Sequence, residues 1–234
     1  MRVEFYKYTD KGPRPDNQDS LEAVDFNESF VACVADGVGG TNCGKMASEE
    51  CLSFFLNNLK SGEVELQEII KSAHQKLKDL QSINVECKGM ATTFTGCLIT
   101  GNLLNGVHVG DSRLCILRGN GIKQLSENHT EVERLLKAGK IKWEDVETYP
   151  RKHILESAVG ANGLPTIQRF NFELKQGDRI LITSDGVHDV ISKMEFRDLS
   201  KESKDVIEFG KSIVRLLKEK KLTDNTSFIV VSVE

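Results

Sequence analysis

The spacing of apolar residues changes along this chain, and each change marks an element. Residues 1–35 read as short strands, interrupted by a loop at Asp10–Asp19 rich in Gly, Pro, Asp and Asn. An apolar run from Phe30 to Ala35 stops at Asp36, and Gly37, Val38, Gly39 and Gly40 follow. Such a run predicts a buried strand with a carboxylate fixed at its end. Glycines at that point let the backbone turn sharply and come close to a ligand. Residues 44–59 place Met46, Ala47, Cys51, Leu52, Phe54, Phe55 and Leu59 in a broad helical stripe. Residues 64–81 place Leu66, Ile69, Ile70, Ala73, Leu77 and Leu80 at i, i+3, i+4, i+7 spacing. These two predicted helices are expected side by side on a sheet.

From Thr92 to Leu125 the period falls to two, with Phe94, Gly96 and Leu98 alternating with Thr95, Cys97 and Ile99. Tight turns such as Gly119-Asn120-Gly121 predict a meander of antiparallel strands. Val132, Leu135 and Leu136 predict a short helix stopped at Gly139, and a second covers Trp143–Thr148 before Pro150. Strands return at Ile167–Leu174 and Arg179–Thr183. A long helix over 204–220, with Ser203 as its cap, turns Val206, Ile207, Phe209, Ile213, Val214, Leu216 and Leu217 inward. Phe228–Val233 closes the chain as a strand. The order suits an α+β fold, a double sheet covered by helices on its outer faces, in a single domain over 1–234.

Composition narrows the function classes. An apolar content of 39% supports a core, and 28% charged residues with a net charge of −4 show no basic stripe for nucleic acid. No apolar stretch approaches the roughly 18 residues that span a bilayer. Residues 1–7 contain no signal-like apolar region, so a cytoplasmic location away from membranes is expected. None of the six cysteines forms a C-x-x-C pair, which argues against a zinc ribbon. Cys33, Cys97 and Cys115 lie inside apolar runs, and the cysteines read as small buried hydrophobes of a reducing compartment.

The candidate chemistry lies in the aspartates. Asp36 ends one apolar strand, and Ile180–Thr183 followed by Ser184-Asp185-Gly186 repeats the design. Asp111 follows Val107-His108-Val109-Gly110, Asp224 precedes the last strand, and Asp19 sits near the N-terminus. Taken singly, each aspartate reads as a turn former. If the strand ends share a rim, however, five carboxylates crowd one site and repel one another unless a multivalent cation joins them. Oxygen ligands suit Mg2+ or Mn2+. Two such ions about 3.5–4 Å apart can deprotonate a water and clamp a phosphoryl group. Arg14, in the same loop as Asp19, offers a guanidinium suited to phosphate. No Ser-His-Asp or Cys-x5-Arg nucleophile pattern is evident, which favours direct attack by a metal-bound hydroxide.

With these residues in view, the chain resembles the metal-dependent type 2C (PPM) protein serine/threonine phosphatases, above all the compact bacterial members, from about Tyr8 to Val233. Arg14-Pro15-Asp16-Asn17-Gln18-Asp19 matches R-x-x-N-[QE]-D, Asp36–Gly40 matches D-G-x-G-G, and His108–Arg113 matches H-V-G-D-S-R. Gly89-Met90-Ala91-Thr92-Thr93, Ser184-Asp185-Gly186 and Asp224-Asn225 resemble further motifs, and residues 126–160 resemble the family's flap. The resemblance implies a four-layer α-β-β-α sandwich of two mainly antiparallel sheets. It implies that Asp36 bridges two Mg2+ or Mn2+ ions and that Asp185 and Asp224 complete the first site. The Gly37 carbonyl and Asp19, directly or through water, would serve the second. Asp111 with Asp185 would form a third, weaker site, and Arg14 would clamp phosphate.

The implied partners are phosphorylated proteins and a cognate Ser/Thr kinase, with the chain acting as a monomer. Hydrolysis of a small phosphorylated metabolite, or a silent phosphoprotein-binding regulator, are the alternatives. Several positions depart from the family pattern. Only Pro13 separates Gly12 from Arg14, Val38 stands where some members carry a histidine that protonates the leaving oxygen, Ala91 replaces a glycine, and Asn128 replaces an aspartate. His153, His108 and His129 invite acid–base roles, but His108 reads as packing and His129 as structural. His74 falls on the polar side of its helix, and His188 is a near-site candidate. Glu131–Glu133 and Lys218–Lys221 read as solvated helix faces.

Overall fold

The structure, a computed structural model, describes residues 2–38, 43–59, 65–146 and 148–234. Gly39 and Gly40 of the glycine-rich turn, Val64 at the head of the second predicted helix and Glu147 lie outside the described residues. Two sheets stack face to face, and every strand pair in them is antiparallel. The first runs β1 (Val3–Asp10), β11 (Thr226–Val233), β10 (Arg179–Thr183), β7 (Arg113–Arg118), β8 (Gly121–Gln124). The second runs β2 (Asp19–Phe26), β3 (Ser29–Val38), β5 (Phe94–Thr100), β6 (Leu103–Val109), β9 (Gln168–Glu173). A two-residue strand, β4 (Ala91–Thr92), pairs with the end of β3. Helices α1 (Cys43–Leu59) and α2 (Leu66–Ile83) cover the second sheet. Helices α5 (Lys193–Glu202) and α6 (Val206–Glu219) cover the first.

The four layers enclose three apolar cores, and strand alternation sorts residues between them. On β3, Phe30, Ala32 and Val34 face the other sheet, where Ile116, Ile180, Ile182 and Ile229 meet them. Val31, Cys33 and Ala35 face α1 and α2. The strand is buried on both sides, which is why its sequence is an uninterrupted apolar run. On β11, Ile229 and Val231 face inward, while Phe228 and Val230 meet Phe209, Ile213 and Leu217 of α6.

Several local expectations are corrected. Ser203 does not cap α6. It ends α5, where its N–H donates to the Leu199 carbonyl (3.1 Å). Asp205 caps α6 instead, its carboxylate accepting the Glu208 N–H at 2.7 Å. Two helices have no counterpart in the apolar pattern: α4 (Asp185–His188) and α5. Phe196 is the one fully buried side chain of α5, so no strong stripe marks it. Its signal is the capping box of Ser192 and Glu195, in which each side chain accepts the other's N–H. The predicted helix at 143–148 shrinks to a 3-10 turn over Trp143–Asp145.

The cysteine reading holds for Cys33, Cys51, Cys97 and Cys115, which are free and buried. It fails for Cys43 and Cys87, which form a disulfide with a Cα–Cα distance of 5.4 Å. The separation of 44 positions in sequence hides the pairing; it arises because the start of α1 meets the turn before β4. His74 is buried rather than polar-facing, because its Nδ1 accepts the Gly160 N–H (3.0 Å) at the end of the flap.

The flap joins β8 to β9 and includes α3 (Glu131–Lys137), which stops at Gly139 with a positive φ of 65° as the sequence suggests. Bridges at Thr130–Leu155 and Thr92–Val159 tie it down. Glu131 is not a solvated face residue. Its carboxylate accepts from Tyr149 Oη at 2.6 Å and from Arg151 Nη2 at 2.7 Å, because the turn at residues 149–151 comes back beside α3.

Candidate active site

One end of the sandwich gathers strand termini from both sheets. Asp19 opens β2 and lies opposite Asp36 near the end of β3. β10 ends at Thr183, opposite Phe228 of β11, so Asp185 just past β10 meets Asp224 just before β11. Asp111 lies in the connection from β6 in one sheet to β7 in the other. Five carboxylates from five distant segments thus reach one rim. Arg14, Asp36, Gly37, Asp111, Asp185 and Asp224 line a cleft of about 460 Å³ there, together with Val38, Thr93, His153 and Leu155. Asp19 lies just beneath, buried.

The glycines of the two Asp-Gly pairs act by close approach between backbones. A Cβ on Gly186 would meet the Asn225 carbonyl oxygen at 2.0 Å, and one on Gly37 would meet the Gly44 carbonyl oxygen at 2.2 Å. Both aspartates are therefore held where two chain segments cross without side chains between them. Thr92 and Thr93 secure Asp36 further. The Asp36 N–H donates to Thr93 Oγ1 (3.0 Å), and its carbonyl accepts from the Thr93 N–H (2.8 Å) and Thr92 Oγ1 (2.9 Å). Ala91, in place of the glycine usual in the family, pairs with Val38 without breaking this arrangement.

The crowding has an electrostatic cost. Burial raises Asp36 well above the ordinary carboxylate range, and the charges of Asp19, Asp185 and Asp111 add to it. Asp19 is pushed up to about 6, first by burial and then by Asp185 and Asp224, against hydrogen bonds from Ser227 and Ser184 that lower it. Asp111 is pushed up to about 7 by burial and by Asp185, against the opposing charge of Arg113. Asp185 rises by burial and by the charges of Asp224 and Asp189. Asp19 Oδ2 accepts from Ser184 Oγ at 2.9 Å, whereas its Oδ1 is buried without a hydrogen-bond partner among the described residues. A buried, orphaned carboxylate oxygen among mutually repelling acids is what a site for hard divalent cations presents, and the all-oxygen donor set suits Mg2+ or Mn2+.

Arg14 lines the cleft, but its Nη2 donates to Asp224 Oδ2 (2.7 Å) and its Nε to the Thr223 carbonyl (3.2 Å). Asn225 pegs the Arg14 loop: its Oδ1 accepts the Gln18 N–H (2.9 Å), and its Nδ2 donates to the carbonyls of Lys11 (2.8 Å) and Asp16 (2.9 Å). Sequence reasoning quoted Asn225 within a motif but gave it no role. It also gave no role to Thr93, Asp189 or Leu155.

The histidines divide. His108 is buried, bonded to Thr95 Oγ1 and beside the carbonyls of Gly110 and Glu127. His129 Nδ1 accepts the Gly110 N–H at 3.1 Å, so both hold loops. His188, expected near the site, is buried against Thr183 Oγ1 (2.9 Å) and does not line the cleft. His153 does line it, carried there by the flap.

A family model described as Protein phosphatase 2C matches residues 15–226. The chain is similar to serine/threonine phosphatase stp of Listeria welshimeri, 29% identical over 219 residues that cover 89% of this chain and 86% of that one. Its structure is similar to the S. agalactiae serine/threonine phosphatase, with a TM-score of 0.92, 26% identity and 100% coverage of both chains. It is also similar to the catalytic domain of the serine threonine protein phosphatase PstP in complex with two manganese ions. That comparison has a TM-score of 0.84, 26% identity and coverage of 98% of this chain and 97% of that one.

Proposed function

This chain belongs to the protein phosphatase 2C family, and on that premise we propose that it removes phosphate from phosphoserine and phosphothreonine in proteins, using Mg2+ or Mn2+ held at the aspartate rim. It is a protein serine/threonine phosphatase and depends on divalent metal. The observation that carries the residue assignment is the meeting of Asp36, Asp111, Asp185 and Asp224 at one cleft, with Asp19 buried beneath it and one of its oxygens unpartnered among the described residues.

When bound, two such ions acidify a water and clamp the phosphoryl oxygens for in-line displacement. Asp36, gripped at both backbone groups by Thr92 and Thr93, would offer its carboxylate to both ions. Asp185 and Asp224 would hold the first ion, and the Gly37 carbonyl with Asp19 the second. Asp111 with Asp185 would hold a third, weaker one. Arg14, whose side chain is half exposed, would turn from Asp224 to the substrate and grip two phosphate oxygens by parallel N–H bonds. Val38 offers no proton at the cleft wall. The proposed partners are phosphorylated proteins and the Ser/Thr kinase that modifies them.

The experiment compares phosphate release from phosphothreonine and phosphotyrosine peptides, a sugar phosphate and a nucleotide, each with Mg2+ or Mn2+. Preference for the phosphothreonine peptide is expected. Faster turnover of the sugar phosphate or nucleotide would replace this reading with a metabolite phosphohydrolase.

A further inference from the structure

We propose that His153 of the flap is a ligand of a divalent ion held with Asp185 and Asp189, so that the ion straps the flap to the rim of the cleft. The inference rests on the third-site reading above and names the residues that complete it. An imidazole nitrogen of His153 and one carboxylate oxygen each from Asp185 and Asp189 lie within 4.8 Å of one another. His153 Nδ1 already approaches Asp189 Oδ2 at 3.5 Å. In an octahedral shell with bonds of about 2.1 Å, ligand atoms stand about 3 to 4.2 Å apart. At that limit the widest pair would have to close by about 0.6 Å or more to share one ion.

The two aspartates stand four residues apart at either end of α4, and the Asp189 N–H donates to the Asp185 carbonyl at 2.9 Å. One helical turn brings both carboxylates to the same side. The histidine comes from a separate segment, 32 positions before Asp185.

A surface His–Asp pair alone would carry little. The difference here is Asp111. It is more than nine-tenths buried, lines the same cleft and forms no ion pair among the described residues. Asp111, Asp185 and His153 thus line one cleft, and Asp189 adds a carboxylate beside the imidazole. An imidazole changes the selectivity of such a site. Mg2+ favours oxygen and dehydrates reluctantly, whereas Mn2+ and Zn2+ accept nitrogen more readily. The ion at this position should then discriminate between Mn2+ and Mg2+ more than the all-oxygen core pair does.

The test is calorimetric titration of the full chain with Mn2+ and, separately, Mg2+, for the parent, His153→Ala and Asp189→Asn. The parent should show two tighter binding events and one weaker one. In both variants the weaker event should lose at least ten-fold in affinity while the tighter pair is unchanged, and His153→Ala should erase its preference for Mn2+. Emission of Trp143, the chain's one tryptophan and an exposed residue of the flap, should change at the weaker event in the parent only. A weaker event of the same affinity and metal preference in His153→Ala would overturn the role of His153 and leave the third site standing. A parent with no weaker event would overturn the third site itself, and with it this inference.

Discussion

The side chain of Asp19 has one oxygen bonded to Ser184 and another with no partner among the described residues, inside a cluster that already repels its charge. At this scale, ion binding and stability are linked. Asp111 has its proton affinity raised to about 7 in the folded chain, against 3.8 for the free side chain. Between those pH values the folded chain keeps a proton that the unfolded chain has released, so folding loses stability as pH rises through that window. In chelator, Asp111→Asn should therefore raise stability above pH 7 by on the order of 1–3 kcal/mol and leave it nearly unchanged at pH 4. The midpoint of urea unfolding at the two pH values measures this. A variant less stable than the parent at pH 8 would mean that Asp111 is not held against its neighbours' charge.

At the scale of elements, the rim depends on crossings that tolerate no side chain. A Cβ on Gly186 would overlap the Asn225 carbonyl, which is backbone and cannot swing away. Gly186→Ala should cost about 1–3 kcal/mol and weaken metal binding together with stability, because it pushes Asp185 and Asp224 apart. Thermal melts in chelator and in Mn2+ would show both effects; an unchanged melt in chelator would contradict the crossing. The Cys43–Cys87 disulfide clips the start of α1 to the turn before β4. By loop closure a bond across 44 residues constrains the unfolded chain by up to about 4 kcal/mol. Cys43→Ala should melt lower than the oxidised parent and respond less than the parent does to added reductant.

What was legible in the sequence follows from how local each signal is. The doubly buried β3 announced itself as an apolar run, and α1, α2 and α6 followed helical spacing. Polar α5 left only a capping box, and the Ser203 reading failed because only residues 203–205 separate the end of one helix from the start of the next. The aspartates were legible as strand-end residues, and the family resemblance foresaw their meeting. The disulfide, the role of Asn225 and the arrival of His153 depend on contacts between distant segments that no local pattern records.

Across the whole molecule, the two sheets contribute different carboxylates to the rim. Asp19 and Asp36 lie at the edge of one, Asp185 and Asp224 border the other, and Asp111 lies on the connection between them. The site exists only when the sandwich is assembled, so metal binding should also hold the two sheets together. The central claim is that this rim works through its metals. Its most direct test is phosphate release from a phosphothreonine peptide by the parent, Asp36→Asn and Asp185→Asn, with Mn2+ and in chelator. The parent should be inactive in chelator and recover with Mn2+, and both variants should fall by more than about 100-fold. Parent activity that persists in chelator, or variants that keep near-parental rates with Mn2+, would contradict it.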